Sequence, residues 1–214
     1  MGLFHAEILV NGLPQTIYTG RDGYRWIAGL PGDSYQIRVK SLAGRIGVAL
    51  AIDGSDALED RPADLANPSL QIIADTYTFK GFRVDDSNIR DFIFGTVAGS
   101  VADQVGRPSS TGTIGIAAWR EMPRATTDFS VSYRDEMPVA SGIPRSPSLG
   151  THAGDIKHDP VHRVEFEHSG SPDVLEIGYN TISVLYEMGV TQRSADDHPR
   201  AFPGSTTGYE AYRP

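Results

Sequence analysis

An all-β fold, a sandwich or jelly-roll-like domain, is what the sequence predicts, and three observations predict it. From residue 3 to about residue 120, short apolar or alternating runs are cut at close intervals by turn residues. The dipeptides Asn11-Gly12, Asp22-Gly23 and Asp53-Gly54 supply the positive φ that tight hairpins require. In Tyr35-Ile37-Val39 the apolar side chains alternate with Gln36, Arg38 and Lys40, the period of a strand with one packed face and one wet face.

In chain order the expected strands are Phe4-Val10, Gln15-Thr19, Tyr24-Ala28, Ser34-Lys40, Ile46-Ile52, Thr76-Phe82, Ile89-Phe94 and Thr113-Trp119. Ile46 to Ile52 is almost wholly apolar, which suggests a central strand covered on both faces. Ser100-Val105 reads as briefly helical before Gly106 and Pro108. Together these make a β-sandwich domain of residues 1–121. From residue 122 to 149, Pro123, Pro138, Pro144 and Pro147 punctuate a run rich in Ser, Thr and Arg, read as an extended linker with a short strand at Phe129-Tyr133. Residues 150–190 read as a small strand-strand-helix unit: strands Val161-Glu167 and Val174-Tyr179 joined by a turn at Ser169-Pro172, then a helix from Thr181 to Met188 with Gly189 at its C-cap. Residues 191–214 carry prolines and glycines with few aliphatics, an extended C-terminal tail that cannot build its own core.

Composition narrows the function classes. A chain of 214 residues with 39% apolar content can bury a substantial core. Its formal charge of -8, with Lys and Arg scattered singly, points away from nucleic acid and anionic membranes. Cysteine is absent, so disulfides and thiolate metal sites are too. The start lacks a basic segment followed by a long apolar run, and no stretch approaches the roughly 18 apolar residues of a membrane span, so use without export is expected.

Four of the six histidines lie between Gly150 and His168. His158 and His162 have the spacing of two ligands on one helix face, but Pro160 between them forbids a helix interior. A loop site gathering His152, Asp155, His158 and His162 would suit zinc or iron; a solvated linker entering a strand, with His162 an ordinary face residue of Val161-Glu167, is the favoured reading. The acidic run Asp53 to Asp60 lacks the order of ligands of a calcium loop and reads as a solvated loop after its hairpin. Trp26, Trp119, Phe79, Phe82, Phe92 and Phe94 could line a sugar-binding face, but at β spacing such aromatics are more often core. No nucleophile elbow, phosphate loop or dinucleotide fingerprint is present, so no catalytic, cofactor-binding or metal-ligating residue is assigned and no cofactor is expected.

Several stretches together resemble a widespread group of poorly characterised bacterial and viral proteins. The likeness runs from Val10-Asn11-Gly12 through the Asp22-Gly23 hairpin and Tyr35-Gln36-Ile37-Arg38-Val39 to Ile52-Asp53-Gly54. It continues with Gly81-Phe82-Arg83, Phe92-Ile93-Phe94, Thr113-Glu121, a Gly150-Thr151-His152-Ala153-Gly154 turn, Val161-Glu167 and Leu175-Tyr179, covering about residues 8 to 190 in pieces. It implies a β-sandwich of the phage virion structural type and brings no catalytic residues.

The expected function is therefore a bacteriophage virion structural protein, a head decoration, cement or minor capsid protein that binds and stabilises the capsid lattice. Made in the host cytoplasm, it would reside in the virion, with the major capsid protein or other virion proteins as partners and with self-association. Arms of this kind gain backbone hydrogen bonds on neighbouring sheet edges that the isolated chain lacks. The linker 122–149 and the tail would make the contacts, with Arg193, Arg200, Phe202, Tyr209, Tyr212 and Arg213 as anchors. The alternative is a cytoplasmic small-molecule or carbohydrate-binding β-sandwich module; a metal-dependent enzyme would require the histidine loop to close into a site.

Overall fold

The computed structural model describes residues 2–104, 106, 108–122 and 147–191. Most of the expected linker and all six expected anchors lie outside them. In chain order the elements are β1 (Phe4–Val10), β2 (Leu13–Pro14), β3 (Tyr18–Thr19), β4 (Arg25–Ala28), β5 (Ser34–Ser41), β6 (Ile46–Ile52), β7 (Ser55–Asp56), β8 (Gln71–Ile73), β9 (Thr76–Phe79), β10 (Gly81–Arg83), β11 (Asn88–Gly95), α1 (Val101–Gln104), β12 (Thr113–Glu121), β13 (Gly150–His158), β14 (His168–Asn180) and α2 (Ile182–Glu187). The fold is all-β, two sheets packed face to face. One sheet runs β10-β11-β5-β1-β2, with β13 on β11 and β9 on β5; the other runs β3-β4-β14-β12-β6-β7, with β8 on β6.

Local chemistry accounts for the hairpins. Asn11 and Gly12 both take positive φ, 51° and 78°, and join β1 to β2 through a two-residue turn. Asp53 and Gly54, at 51° and 76°, do the same between β6 and β7. The alternation in β5 is realised: Tyr35, Ile37 and Val39 are buried, while Arg38 faces out and pairs with Glu7 directly across on β1 at 3.1 Å. Central β6 turns Ile46, Val48, Leu50 and Ile52 into the core, and Phe166 and Leu70 cover Gly47 on its outer face. The aromatic ladder is core: Trp119, Phe79, Phe92 and Phe94 are buried, Phe82 packs edge-on against Phe92, and Tyr35 stacks on Phe94 at 4.3 Å. Trp26, half-buried, covers Gly178. Each such side chain removed from water contributes about 1.5–3 kcal/mol.

The second half departs from expectation. Residues 161–167 are not a strand. The strand of this region is instead β13, on β11, built from the Gly150-Thr151 and Gly154 stretch expected to turn. Glycine suits a strand here because neighbours crowd the Cβ positions: Ser100 Cβ would lie 2.5 Å from one at Gly150, and Ile93 Cδ1 2.6 Å from one at Gly154. The backbone at 159–161 then bonds Ser87 and Asp86, and the chain lays Phe166 over Gly47. Ser169 to Pro172 is not a turn either. β14 runs through it, pairing Ser169 with Arg120 and Asp173 with Ala118, so the residues between form a bulge, with Gly170 at φ 71°. The strands of residues 150–190 are divided between the sheets: β13 lies along β11, while β14 inserts between β12 and β4, parallel to β4. The helix falls where expected, with Thr181 as N-cap and Gly189 at φ 67° just beyond it.

Candidate functional site

The most concentrated polar chemistry sits in the core. The β6–β7 turn aims the Asp53 carboxylate inward, where the residue is wholly buried. Its Oδ1 accepts from the backbone N–H of Gly112 at 2.8 Å and of Thr113 at 3.1 Å, its Oδ2 from Thr151 N–H at 2.7 Å, and the Tyr179 hydroxyl donates to both oxygens at 2.7 and 2.8 Å. Every partner is placed to donate to the carboxyl; burial pushes its pKa up, and the Tyr179 and backbone donors act in the opposite direction. The carboxyl then orders the hydroxyls beyond it. Tyr179 has spent its one proton, so its oxygen accepts from Thr151 Oγ1 at 2.7 Å, and Thr151 Oγ1 accepts from Tyr35 at 2.8 Å. Burial raises both tyrosine pKa values well above their usual range, and the charge on Asp53 adds to this.

Tyr35 and Thr151 belong to one sheet, Tyr179 to the other, and Asp53 to the β6–β7 turn of that second sheet. The chain of hydrogen bonds therefore staples the two layers. An enclosed carboxyl whose hydrogen bonds all come from internal donors has nothing left to offer a substrate; it braces the sandwich. The expectation that Asp53 to Asp60 is a solvated loop is corrected here. Asp53 is buried, and so is Asp56, which accepts from Leu58 N–H at 2.9 Å and Ser69 Oγ at 2.6 Å and pairs with Arg61 at 3.5 Å.

Accessible chemistry lies in a cleft of about 1150 Å³ at the rim of the sandwich. Leu58, Leu70, Phe82, Val84, Val164 and Phe166 form its apolar walls, and Arg45, Arg90, Arg163, Glu59, Asp60 and Asp86 its charged border. Many of its charges are engaged locally: Arg45 with Glu121, Arg163 with Asp86 at 3.5 Å, and Arg83 with Asp159 at 3.0 Å. Asp159 also receives Lys80 at 2.8 Å, which ties the 159–163 segment down beside β10. Burial pushes the Asp159 pKa up, but Lys80 and Arg83 prevail and hold it below its ordinary value.

The histidines are not brought together. His152 on β13 bonds the Thr96 carbonyl through Nε2 at 2.9 Å, His158 ends the strand exposed, and His162 borders the cleft. Among the described residues no three His, Cys, Asp or Glu side chains form a group able to hold a metal ion. Sequence reading missed the buried network, although a signal was present. Asp53, Thr151, Tyr179 and Tyr35 each occupy one of the short motifs quoted above, read there as turns and core.

No family model, no curated protein and no solved structure matches the chain.

Proposed function

We propose that this chain is a structural component of a tailed-bacteriophage particle, a head decoration, cement or minor capsid protein that strengthens the lattice by bridging neighbouring subunits. The observation that carries this reading is the Asp53–Tyr179–Thr151–Tyr35 staple, which commits the strongest polar chemistry of the fold to holding two sheets together. A cement protein works by transmitting load between neighbours, and many modest contacts repeated by symmetry resist internal pressure only if each unit is itself rigid. The linker and the tail, with Arg193, Arg200, Phe202, Tyr209, Tyr212 and Arg213, are the proposed contact segments. Quantitative mass spectrometry of gradient-purified particles tests the proposal. A fixed ratio of this protein to the major capsid protein supports it; recovery in the soluble fraction alone refutes it.

The cleft favours a second reading, a small-molecule or carbohydrate-binding module, because its volume and its mix of apolar wall and charged border suit a small ligand. A glycan array probed with the purified protein, followed by Phe82→Ala and Arg90→Ala variants, would separate the two. Binding lost in both variants would favour the module.

A further inference from the structure

We propose that the open edge of β13 docks a second copy of this chain, antiparallel, about a two-fold axis through Ile156. The surface lies apart from the contact segments named above, and its test does not depend on that reading.

The phase of the hydrogen bonds leaves this edge open. β13 lies along β11 on one side, and no described strand lies on the other. Asp159 N–H bonds the Ser87 carbonyl at 2.8 Å, one step beyond the Asn88–His158 pair. Bonded and non-bonded pairs alternate in an antiparallel ladder, so Lys157 bonds Ile89, and the backbone groups of Ile156 and His158 point away from β11. The far side of β11 agrees: Val84 N–H bonds the Asn88 carbonyl at 2.9 Å, which turns Asn88 toward β10 and Ile89 toward β13. The start of β13 is enclosed, with Gly150 and Thr151 buried, whereas Asp155, Ile156, Lys157 and His158 are all exposed. Ile156 is 57% exposed and stands in one cross-strand row with Arg90 and Phe82.

Self-complementarity selects a second copy as the occupant. An axis through Ile156 sets that residue opposite its own counterpart, and Asp155 of each chain opposite Lys157 of the other. The two Ile156 residues then exchange their outward backbone hydrogen bonds, and the row of Phe82, Arg90 and Ile156 continues into its mate. Asp155 is exposed and forms no ion pair among the described residues. Lys157 reaches Asp91 in its own chain and has further donors to share. An axis through Lys157 would instead bring like charges together, so charge fixes the register. Lysine on an edge ordinarily discourages pairing for that reason; here each lysine meets a carboxylate. The register shift between Arg90 and Phe92 ends the regular stretch just before Ile156, so the joint is short and the dimer concentration-dependent.

Sedimentation velocity of the full chain over a concentration series tests this, and a monomer–dimer equilibrium is expected. Asp155→Lys and Lys157→Asp should each weaken the dimer about tenfold, because each turns two attractive contacts into like-charge ones. An equimolar mixture of the two variants should regain the parent affinity, since the edge made wholly basic then meets the edge made wholly acidic. Ile156→Pro removes an N–H that β11 does not use, so it should abolish dimerisation and leave the urea midpoint unchanged. A parent chain that stays monomeric throughout, a dimer that ignores both charge variants, or a mixture no tighter than its components overturns the proposal. Such a failure, with the protein still at a fixed ratio in particles, leaves the virion reading standing. A dimer that behaves as expected but is recovered in the soluble fraction alone removes that reading and supports this one.

Discussion

Tyr179, near the end of β14, donates its hydroxyl proton to Asp53, in the turn after β6, across 126 positions of sequence. The contact joins the last strand of the fold to its first central hairpin, and Thr151 and Tyr35 extend it into the opposite sheet. Replacing Tyr179 by Phe leaves a buried carboxyl one donor short and frees Thr151 Oγ1. Urea melts should show a loss of about 2–3 kcal/mol. Tyr35→Phe, further along the chain, should cost less, and a double-mutant cycle between the two should reveal coupling.

Gly81 lies flush against β11. A Cβ there would meet the Arg90 carbonyl oxygen at 2.0 Å and its carbon at 2.5 Å, both backbone atoms that cannot swing aside. Gly81→Ala should therefore push β10 away from β11 and cost about 3 kcal/mol or more. Amide exchange of β11 would locate the damage.

Gly178 supports the Trp26 ring, whose carbon Cζ3 would sit 2.5 Å from an added Cβ. Gly178→Ala should displace the indole toward solvent. A red shift of Trp emission, with Trp119 remaining buried, is the expected signature, and unchanged emission would contradict it.

The two engaged aspartates should give opposite pH dependences. Asp159 has a folded pKa held below its ordinary value by Lys80 and Arg83, so its contribution is present above that ordinary value and fades as pH falls through the depressed one. The urea midpoint of Asp159→Asn should accordingly lie below the parent at neutral pH and converge with it in acid. Asp53, pushed up by burial, works the other way: the folded state binds the proton more tightly than the unfolded chain, and this term erodes stability as pH rises through the carboxylate range. Its four donors oppose that shift without reversing it. Comparing the slopes of parent and Asp159→Asn between acid and neutral pH separates the two signs.

What could be read from the sequence was local. Asn11-Gly12 and Asp53-Gly54 announce two-residue turns because few other dipeptides accept two positive φ angles in succession. The alternation of Tyr35, Ile37 and Val39 predicts a strand face because side-chain direction repeats every second residue. β1 and β6 were legible to the residue for the same reason. Glycine misled where it served packing: Gly150 and Gly154 sit in β13 because Ser100 and Ile93 occupy the space of their missing side chains, and those neighbours arrive from distant sequence. The bulge at 170–172 likewise depends on the partner strand, since only Trp119 opposite it makes those residues supernumerary.

The sequence by itself determined the all-β class, the Asn11-Gly12 and Asp53-Gly54 turns and the inward faces of the strands, all of which follow from the backbone preferences and pleat of neighbouring residues; at Asp22-Gly23 only the glycine takes positive φ, in a five-residue connection. The tertiary structure alone decided that Asp53 is a buried, fully engaged carboxyl. Its donors come from 59, 98 and 126 positions away, and a carboxylate's protonation and cost are set by the groups that surround it in space.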